Sequence, residues 1–174
     1  NIHSDKDAIF TNGAGNFAIW SGKYLNYSKE HRLLAPQAGA MGAGVPAALA
    51  AKSIYPNRQV ICFAGDGDFQ MSASELGTAM QESLNPIILI HNNGSYGTIR
   101  MHQEMRYPKR VSGTNLKNPN FKCIAEAYNF GYSKITNLSE FKVAFEKAKT
   151  FEVCFIIEML ADIKDISPGK IIDL

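Results

Sequence analysis

The chain has 174 residues, a length that suits one domain able to bury about 70% of its unfolded surface. Its formal net charge is +2 and its basic residues are scattered, apart from residues 100–110, so the composition gives no reason to expect nucleic acid as a partner. The sequence contains no apolar run of about 18 residues, and we therefore expect no membrane span.

Three cysteines, Cys62, Cys123 and Cys154, lie in apolar segments at wide spacing and form no CxxC pair. This pattern fits buried thiols in a reducing compartment better than metal ligands or a disulfide framework. No signal peptide is recognisable before the domain. We therefore expect a cytoplasmic protein.

The chain begins with a predicted strand, turn and helix. Residues 8–11 are the strand candidate, a glycine turn at residues 12–16 follows, and the aromatic-bearing helix spans Phe17–Tyr24. Taken by itself, the turn has an ordinary explanation in which Asn16 caps the helix.

A second strand, turn and helix come next. Residues 33–36 form a short strand, and a glycine-rich turn at residues 37–44 leads into an alanine-rich helix at residues 45–52. Glycines between a strand and a helix also form the phosphate cradle of nicotinamide proteins. Here their order is GxxGxG instead of GxGxxG, and no acidic residue ends a second strand about 20 residues later, so this alternative is weak. The glycines are Gly39, Gly42 and Gly44.

Two continuous aliphatic runs, at residues 60–64 and 87–90, show no alternation of polar side chains. This pattern is typical of strands whose two faces are both covered, as in a parallel sheet. Between the runs, Ser72 and Glu75 predict a capping box at the start of a helix. The apolar positions at helical spacing are Leu76, Ala79, Met80 and Leu84.

Such a strand, helix, strand unit is a right-handed crossover, so Asp66 and Asn93 should emerge together at the carboxyl edge of the sheet, where open α/β folds bind ligands. Asp66 would supply a charged oxygen, Asn93 an amide oxygen and Ser95 its backbone carbonyl, which is half of the octahedral shell that magnesium requires. Gly65 and Gly67 let an anion approach the backbone closely, and the predicted helix start offers free amide hydrogens. These residues predict a magnesium-bound diphosphate.

The rest of the chain continues the alternation. The predicted elements are a helix at residues 98–106, a mobile polar loop at 108–118, a helix at 121–128 capped by Asn118 and Pro119, a strand at Gly131–Ile135, a helix with Asn137 and Glu140 as capping pair, a strand at 153–159 and a tail at 163–174. Together they predict one domain, residues 1–174, with an α/β doubly wound parallel sheet of about six strands and helices on both faces.

A GDG motif followed at this interval by NN is the signature of thiamine diphosphate enzymes. In this chain, GDGDFQMSASELGTAMQ and HNNGSYGTIRMHQ resemble the acetolactate synthase and benzoylformate decarboxylase group, and the similarity covers most of the chain as the family's C-terminal diphosphate-binding domain. Because the chain begins at Asn1 without an initiator methionine, we expect it to be part of a longer enzyme. The resemblance implies the same fold and two cofactors, thiamine diphosphate and Mg²⁺, with Asp66, Asn93 and Ser95 as metal ligands.

The resemblance also implies contacts to the other parts of the cofactor. Gly15 and Asn16 would lie beside the terminal phosphate, and the Gly39 carbonyl would face the exocyclic amine of the aminopyrimidine. Met41 would lie beneath the bend of the cofactor and force its folded shape, a task that suits an unbranched, polarizable side chain, although plain core packing is the ordinary explanation of such a Met. Tyr96 would pack against the thiazolium side. The cofactor set is completed by Gly65, Asp66, Gly67, Asp68, Asn93 and Ser95.

Asp68 departs from the family pattern, in which a small residue such as Ser follows GDG. A carboxylate there would repel phosphate, so either Asp68 points outward and only its backbone amide is used, or the affinity for the cofactor is reduced. Further along, Arg100, His102 and Gln103 are catalytic candidates for contacting a substrate carboxylate or relaying protons. A solvated helix face is the equally weighted alternative for these three residues.

The glutamate that activates the thiazolium in this family belongs to a pyrimidine-binding domain supplied across a subunit interface, and nothing in this chain replaces it. We therefore expect a homodimer or homotetramer of the longer enzyme, acting on a 2-keto acid by decarboxylation or carboligation, and an inactive chain in isolation. The alternative is a stand-alone magnesium-diphosphate module or separate subunit without catalysis. The substrate, and FAD in a missing domain, cannot be inferred.

Overall fold

The computed structural model describes residues 3–169, and within them six strands form one all-parallel sheet. The strands are β1 (Ile9–Asn12), β2 (Arg32–Leu34), β3 (Val60–Gly65), β4 (Ile87–Asn92), β5 (Gly131–Ile135) and β6 (Phe155–Leu160). Their order across the sheet is β2-β1-β3-β4-β6-β5. The predicted doubly wound α/β fold is confirmed.

Helices connect the strands and cover both faces of the sheet. They are α1 (Phe17–Tyr24), α2 (Gly44–Ile54), α3 (Asp66–Gln70), α4 (Leu76–Gln81), α5 (Gly97–Arg106), α6 (Phe121–Ala127) and α7 (Leu138–Lys149), with a 3₁₀ turn at Ala73–Glu75 between α3 and α4. Within residues 3–169, none of the helices has the length and apolar character needed to cross a bilayer.

Successive side chains of β3 enter opposite cores, which explains why the strand carries no polar alternation. Val60 and Cys62 belong to the core on the side of α2, α4 and α6, whereas Ile61 belongs to the core on the side of α7. Both cores contain buried aromatic rings, among them Phe121 in the first and Phe145 in the second. Because both faces are buried, the apolar run predicted a parallel strand correctly.

The direction of winding changes between β1 and β3, which are neighbours in the sheet. From β1 the chain moves outward to the edge strand β2, and from β3 it moves the other way to β4. The carboxyl ends of β1 and β3 therefore flank the crevice in which ligands of such folds bind. Asn12 and Gly65 mark these two ends.

The predicted capping box at Ser72 and Glu75 is wrong. Strand β3 runs directly into α3, which begins at Asp66, and the chain bends again near Ser72 before α4. Among the described residues, the Ser72 side chain makes no cap hydrogen bond, and its buried Oγ has no partner. Glu75 accepts a hydrogen bond from Thr78 Oγ1 instead, at 3.1 Å. The free amides near the strand end thus belong to α3, six residues earlier than the pattern predicted.

The predicted cap of α6 by Asn118 and Pro119 is also wrong. Asn120 caps this helix, with its Oδ1 accepting the backbone N–H of Lys122 at 3.0 Å and of Cys123 at 3.3 Å. A residue before proline favours extended backbone, so Asn118 lies outside the helix, and its side chain donates to Asp66 and Asn92 instead. The capping of α7 by Asn137, whose Oδ1 accepts the Glu140 N–H at 3.0 Å, is confirmed.

Smaller differences concern element ends and burial. Strand β2 covers Arg32–Leu34 instead of residues 33–36, and its side chains are exposed because it lies at the sheet edge. Cys123 is exposed, contrary to prediction, because it lies on the outer side of α6, whereas Cys62 and Cys154 are buried as predicted. In the predicted tail, Ile166 is buried against the domain, and residues 170–174 lie outside the described part of the chain.

Candidate cofactor site

A cavity of about 220 Å³ opens at the carboxyl edge of the sheet, where β1, β3 and β4 end. It is lined by three loops that follow these strands and by the turn before α2. The structure brings together around it all of the residues predicted to contact a cofactor, which are Gly15, Asn16, Gly39, Met41, Gly65, Asp66, Gly67, Asp68, Asn93, Ser95 and Tyr96. What these residues bind stays a prediction.

Asp66 is the central acidic group of the cavity and is 1% exposed. Its Oδ1 accepts the Gly67 N–H at 3.0 Å, while its Oδ2 accepts the Gly94 N–H at 2.8 Å and Asn118 Nδ2 at 2.6 Å. Burial raises the pKa of Asp66, and the hydrogen bonds from Asn118, Gly67 and Gly94 oppose this effect. A buried carboxylate with this balance is stabilised in its charged form by a nearby cation.

Asn93 and Ser95 lie in the loop after β4 and face the same cavity. Asn93 Oδ1 accepts the Ser95 N–H at 3.1 Å, so one of its two lone pairs is used within the loop. The Ser95 hydroxyl donates to the Thr114 carbonyl at 2.7 Å. Because the hydroxyl is engaged there, the backbone carbonyl is the Ser95 oxygen to consider as a ligand.

These oxygens fit magnesium better than a softer metal. Among residues 3–169, no three His, Cys, Asp or Glu side chains come together in a metal-binding group. Beside Asn93 and Ser95, the Asp66 carboxylate adds a charged oxygen to an amide and a carbonyl oxygen, which is the hard donor set that Mg²⁺ prefers when phosphate and water complete its shell. The residues present therefore fit a magnesium-bound diphosphate.

Asp68 does not point outward, so that part of the prediction is wrong. The residue is 2% exposed and lines the cavity, with its Oδ1 accepting the Gly42 N–H at 2.8 Å. Within residues 3–169, the other oxygen of this carboxylate, Oδ2, is buried and accepts no hydrogen bond of normal geometry. Burial raises the pKa of Asp68 to about 6. The carboxylate is held inward because α3 begins directly after β3, which turns this side chain toward the glycine loops.

The glycine turn after β1 packs directly onto this carboxylate. A Cβ atom placed on Gly13 would lie 1.9 Å from Asp68 Oδ1, a distance that no real side chain tolerates. The absence of a side chain at Gly13 thus makes room for Asp68, and the two loops fit together as one unit.

Asn16 does not cap α1, so the ordinary explanation of this turn is also wrong. Its Oδ1 accepts a hydrogen bond from Thr98 Oγ1 at 3.0 Å, and Thr98 Oγ1 in turn accepts the Asn16 N–H at 2.9 Å. These bonds connect the turn after β1 to the start of α5 across the cavity. Thr98 was missed by sequence reasoning because no local pattern connects residues 82 positions apart.

The three catalytic candidates on α5 lie outside the set of residues that line the cavity. Arg100 is buried and pairs with Glu104, Nε to Oε1, at 2.9 Å. Gln103 donates to the Ser112 carbonyl at 2.7 Å and accepts from Thr114 Oγ1 at 3.0 Å, while His102 is exposed. Arg100 and Gln103 thus make structural contacts in this chain, and the catalytic role of all three stays a prediction.

Sequence reasoning also missed His91 and Asn118. His91 ends the apolar run of β4 and lines the cavity, and burial lowers its pKa while the Asp66 charge acts in the opposite direction. A polar residue that closes an apolar run was the available signal. Asn118 carried the signal of an extended residue before proline, but its bond to Asp66 spans 52 positions and could not be seen locally.

Comparison with known proteins agrees with this geometry. Residues 13–159 match the model of the thiamine pyrophosphate enzyme, C-terminal TPP binding domain. The chain is 34% identical over 172 residues to the acetolactate synthase large subunit of Porphyra purpurea, covering 95% of this chain and 29% of that protein. It is 36% identical over 137 residues to the acetolactate synthase large subunit of Lactococcus lactis, covering 78% of this chain and 24% of that protein.

A solved structure shares the fold. It is the thiamine diphosphate-dependent 4-hydroxybenzoylformate decarboxylase of Rhodococcus jostii RHA1, with a TM-score of 0.83 and 28% sequence identity over 92% of this chain and 31% of that protein. The chain thus spans less than a third of the length of these relatives. With the signature motifs, the sheet order and the family match in agreement, the chain belongs to the thiamine pyrophosphate enzymes, as a C-terminal TPP-binding domain.

Proposed function

We propose that this chain binds thiamine diphosphate through Mg²⁺ and forms the cofactor-holding part of a 2-keto acid decarboxylase or carboligase of the acetolactate synthase type. The observation that carries the proposal is the meeting of Asp66 and Asn93, from two neighbouring strand ends, in one cavity that Met41 and Gly39 also line. The relatives support it, since several are acetolactate synthases and one is a decarboxylase.

In this proposal each group of residues has a separate task. Asp66, Asn93 and the Ser95 carbonyl would hold Mg²⁺, whose positive charge would serve to bind the diphosphate. Gly15 and Asn16 would border the phosphates, Met41 would support the bend of the cofactor, and Tyr96 would pack beside the thiazolium. When bound, thiamine diphosphate supplies a carbon nucleophile for the keto carbon and an acceptor for the electrons released as carbon dioxide leaves.

Within residues 3–169, no glutamate lines the cavity. The acidic side chains that line the cavity, within the described residues, are Asp66 and Asp68, which accept the Gly94 and Gly42 N–H groups respectively. Glu75 lies outside the lining and accepts from Thr78. We therefore propose that a glutamate from a pyrimidine-binding domain, supplied by another subunit of a homodimer or homotetramer in the cytoplasm, activates the cofactor.

Exposed apolar side chains support the presence of a covering domain. Ile99 both lines the cavity and is 51% exposed, and Leu34, at the carboxyl end of the edge strand β2, is 43% exposed. Met71, just after α3, is also exposed. Apolar groups of this size grouped near a binding edge are typical of an interaction surface.

The binding step is tested by calorimetry with thiamine diphosphate in the presence of Mg²⁺. We expect binding that EDTA abolishes and that Asp66→Ala weakens by about 100-fold or more, since the substitution removes the only charged ligand proposed. The matched control is Glu152→Ala, which removes an exposed carboxylate just before β6, at the opposite edge of the sheet. Heat of binding that Asp66→Ala leaves unchanged would refute the metal assignment.

The catalytic step is tested by carbon dioxide release from a panel of 2-keto acids. We expect no turnover by residues 1–174 alone, and turnover by the protein that also carries the pyrimidine-binding domain. Release of carbon dioxide by the isolated chain would contradict the proposal that another domain supplies the activating glutamate. Failure of the complete protein to act on every 2-keto acid tested would favour the non-catalytic module.

A further inference from the structure

A continuous hydrogen-bonded path leads from the buried Glu158 of β6 to the Asp66 carboxylate. Glu158 Oε1 accepts Asn92 Nδ2 at 2.7 Å, and Asn92 Oδ1 accepts both the Gly94 N–H at 3.2 Å and Asn118 Nδ2 at 2.9 Å. The same Gly94 N–H and Asn118 Nδ2 donate to Asp66 Oδ2. Every link in the path is a direct contact between described residues.

The path has a fixed polarity that begins at Glu158. An ionised carboxylate only accepts hydrogen bonds, so it forces the Asn92 amide to present its NH₂ to Glu158 and its oxygen to Gly94 and Asn118. Glu158 is 4% exposed, and its other oxygen accepts the Tyr132 hydroxyl. Burial and the Glu158 carboxylate raise the pKa of Tyr132, which keeps the phenol a donor. Lys134 Nζ, 3.7 Å from Oε1, adds a partial countercharge.

The far end of the path is fixed in the same way. Asn118 Oδ1 accepts Gln70 Nε2 at 2.9 Å, which directs the Asn118 NH₂ toward Asp66 and Asn92. Gly94 has φ +65°, a left-handed conformation that glycine adopts without strain and that directs its N–H to the two acceptors. Asp66 Oδ2 therefore receives two donors, while Oδ1 receives one, from Gly67. The carboxylate keeps one oxygen less engaged than the other.

We propose that Glu158 is a positioning residue which, through Asn92, Gly94 and Asn118, sets the orientation of the Asp66 carboxylate and thereby the affinity of the site for a divalent cation. The inference rests on the proposed function, because it takes Asp66 as the metal ligand. Residues that hydrogen-bond a metal ligand typically change metal affinity by about 10–100-fold when they are replaced. Glu158 contacts Asp66 only indirectly, through Asn92, but its replacement should also weaken metal binding.

The experiment measures Mn²⁺, a paramagnetic substitute for Mg²⁺, by the electron paramagnetic resonance signal of the free ion at saturating thiamine diphosphate. We expect Glu158→Gln to raise the Kd for Mn²⁺ about tenfold, because glutamine can donate to Asn92 and so allows its amide to turn over. Asn92→Ala, which breaks the path in its middle, should do the same. In the double variant, the Kd for Mn²⁺ should rise by much less than the product of the two single-variant increases, since both substitutions interrupt the same path.

Two further variants separate positioning from stability and from the proposed function. Ile156→Val removes a buried methyl group in the same strand and should shift urea unfolding to a lower midpoint while leaving the Kd for Mn²⁺ within about twofold of wild type. Asp66→Ala should abolish tight Mn²⁺ binding. If Ile156→Val raises the Kd for Mn²⁺ as much as Glu158→Gln does, the positioning role of Glu158 is overturned.

The outcomes are distinguishable. An unchanged Kd in Glu158→Gln, together with lost binding in Asp66→Ala, overturns the positioning role and leaves the proposed function standing. Unchanged Mn²⁺ binding in Asp66→Ala would refute the assignment of Asp66 as a metal ligand, and with it the proposed function. If Glu158→Gln does not fold, Asn92→Ala decides the matter, and an unchanged Kd in that variant overturns the inference equally.

Discussion

Asp68 Oδ1 accepts the backbone N–H of Gly42 at 2.8 Å, and this bond joins α3 to the glycine turn before α2. The carboxylate thus holds two walls of the cavity together, although its charge would oppose the proposed diphosphate. The Asp68 oxygen stabilises the cavity by accepting the Gly42 N–H, whereas the Asp68 charge would weaken the binding of an anion. A substitution that keeps the oxygen and removes the charge separates the two effects.

Asp68→Asn should therefore strengthen cofactor binding. Asparagine keeps an oxygen for the Gly42 N–H and removes the negative charge, so we expect the Kd for thiamine diphosphate to fall about tenfold, or ~1.4 kcal/mol. Calorimetry at fixed Mg²⁺ measures the change. Asp68→Ala is the control, since it removes both the charge and the acceptor and should show a lower unfolding free energy. An Asp68→Asn protein with weaker binding than wild type would show that the charge is used by the cofactor site.

Gly13→Ala should destabilise the domain, because the new Cβ would lie 1.9 Å from Asp68 Oδ1. We expect a loss of about 1–3 kcal/mol in unfolding free energy, measured by urea denaturation. The matched control is Gly77→Ala in α4, where a Cβ meets nothing within 4 Å, and which should stabilise the protein by about 0.5–1 kcal/mol.

The cause of the Gly13→Ala effect can be isolated with a second substitution. In an Asp68→Ala background the clashing carboxylate is absent, so adding Gly13→Ala should cost less than about 1 kcal/mol. An equal cost in both backgrounds would place the strain in the backbone of the turn instead of the contact with Asp68.

Arg100→Met should destabilise the domain by about 3 kcal/mol, because it leaves the Glu104 carboxylate buried without its partner. Arg106→Met, at an exposed position of the same helix, should change stability by less than about 0.5 kcal/mol. Chemical denaturation measures both. If Arg100→Met keeps wild-type stability while the complete protein loses apparent affinity for the proposed 2-keto acid substrate, the residue contacts substrate and the structural role is secondary.

Thiol titration provides a test of the burial pattern. In the native protein at pH 8 we expect one fast-reacting thiol, that of Cys123, and three in denaturant. Burial raises the pKa of Cys62 to about 12 and raises that of Cys154 as well, so both stay protonated and inaccessible at pH 8. Replacing Cys123 with Ser should abolish the fast phase. Fast reaction of two thiols would show that one core opens readily.

The fold could be predicted because its signals are local. The buried run around Val60 and the run around Ile88 reveal parallel strands by their lack of alternation, and the motif residues Asp66 and Asn93 then follow at the strand ends. The resulting cavity contains every residue that was expected to touch the cofactor.

The parts that could not be predicted depend on long-range geometry. Ser72 has the local pattern of a cap, but its hydroxyl makes no cap hydrogen bond, and an additional short helix, α3, begins at Asp66 because β3 continues into it without a loop. Asn118 precedes a helix and yet bonds to Asp66, and Glu158 looks like an isolated charge in a core strand until Asn92 is placed beside it. Such contacts follow from strand order, which no single segment encodes.

The segment before α6 is tied to the loop after β4 by backbone bonds. Leu116 N–H donates to the Gly94 carbonyl at 2.8 Å, and Tyr96 N–H donates to the Thr114 carbonyl at 2.9 Å, while Gln103 holds Ser112. The segment predicted to be a mobile loop is therefore anchored at several points. Because these bonds hold one stretch of backbone, residues 112–118 can separate from the loop after β4 only when the bonds break together, so this segment should open by cooperative local unfolding and not by the independent motion of single residues.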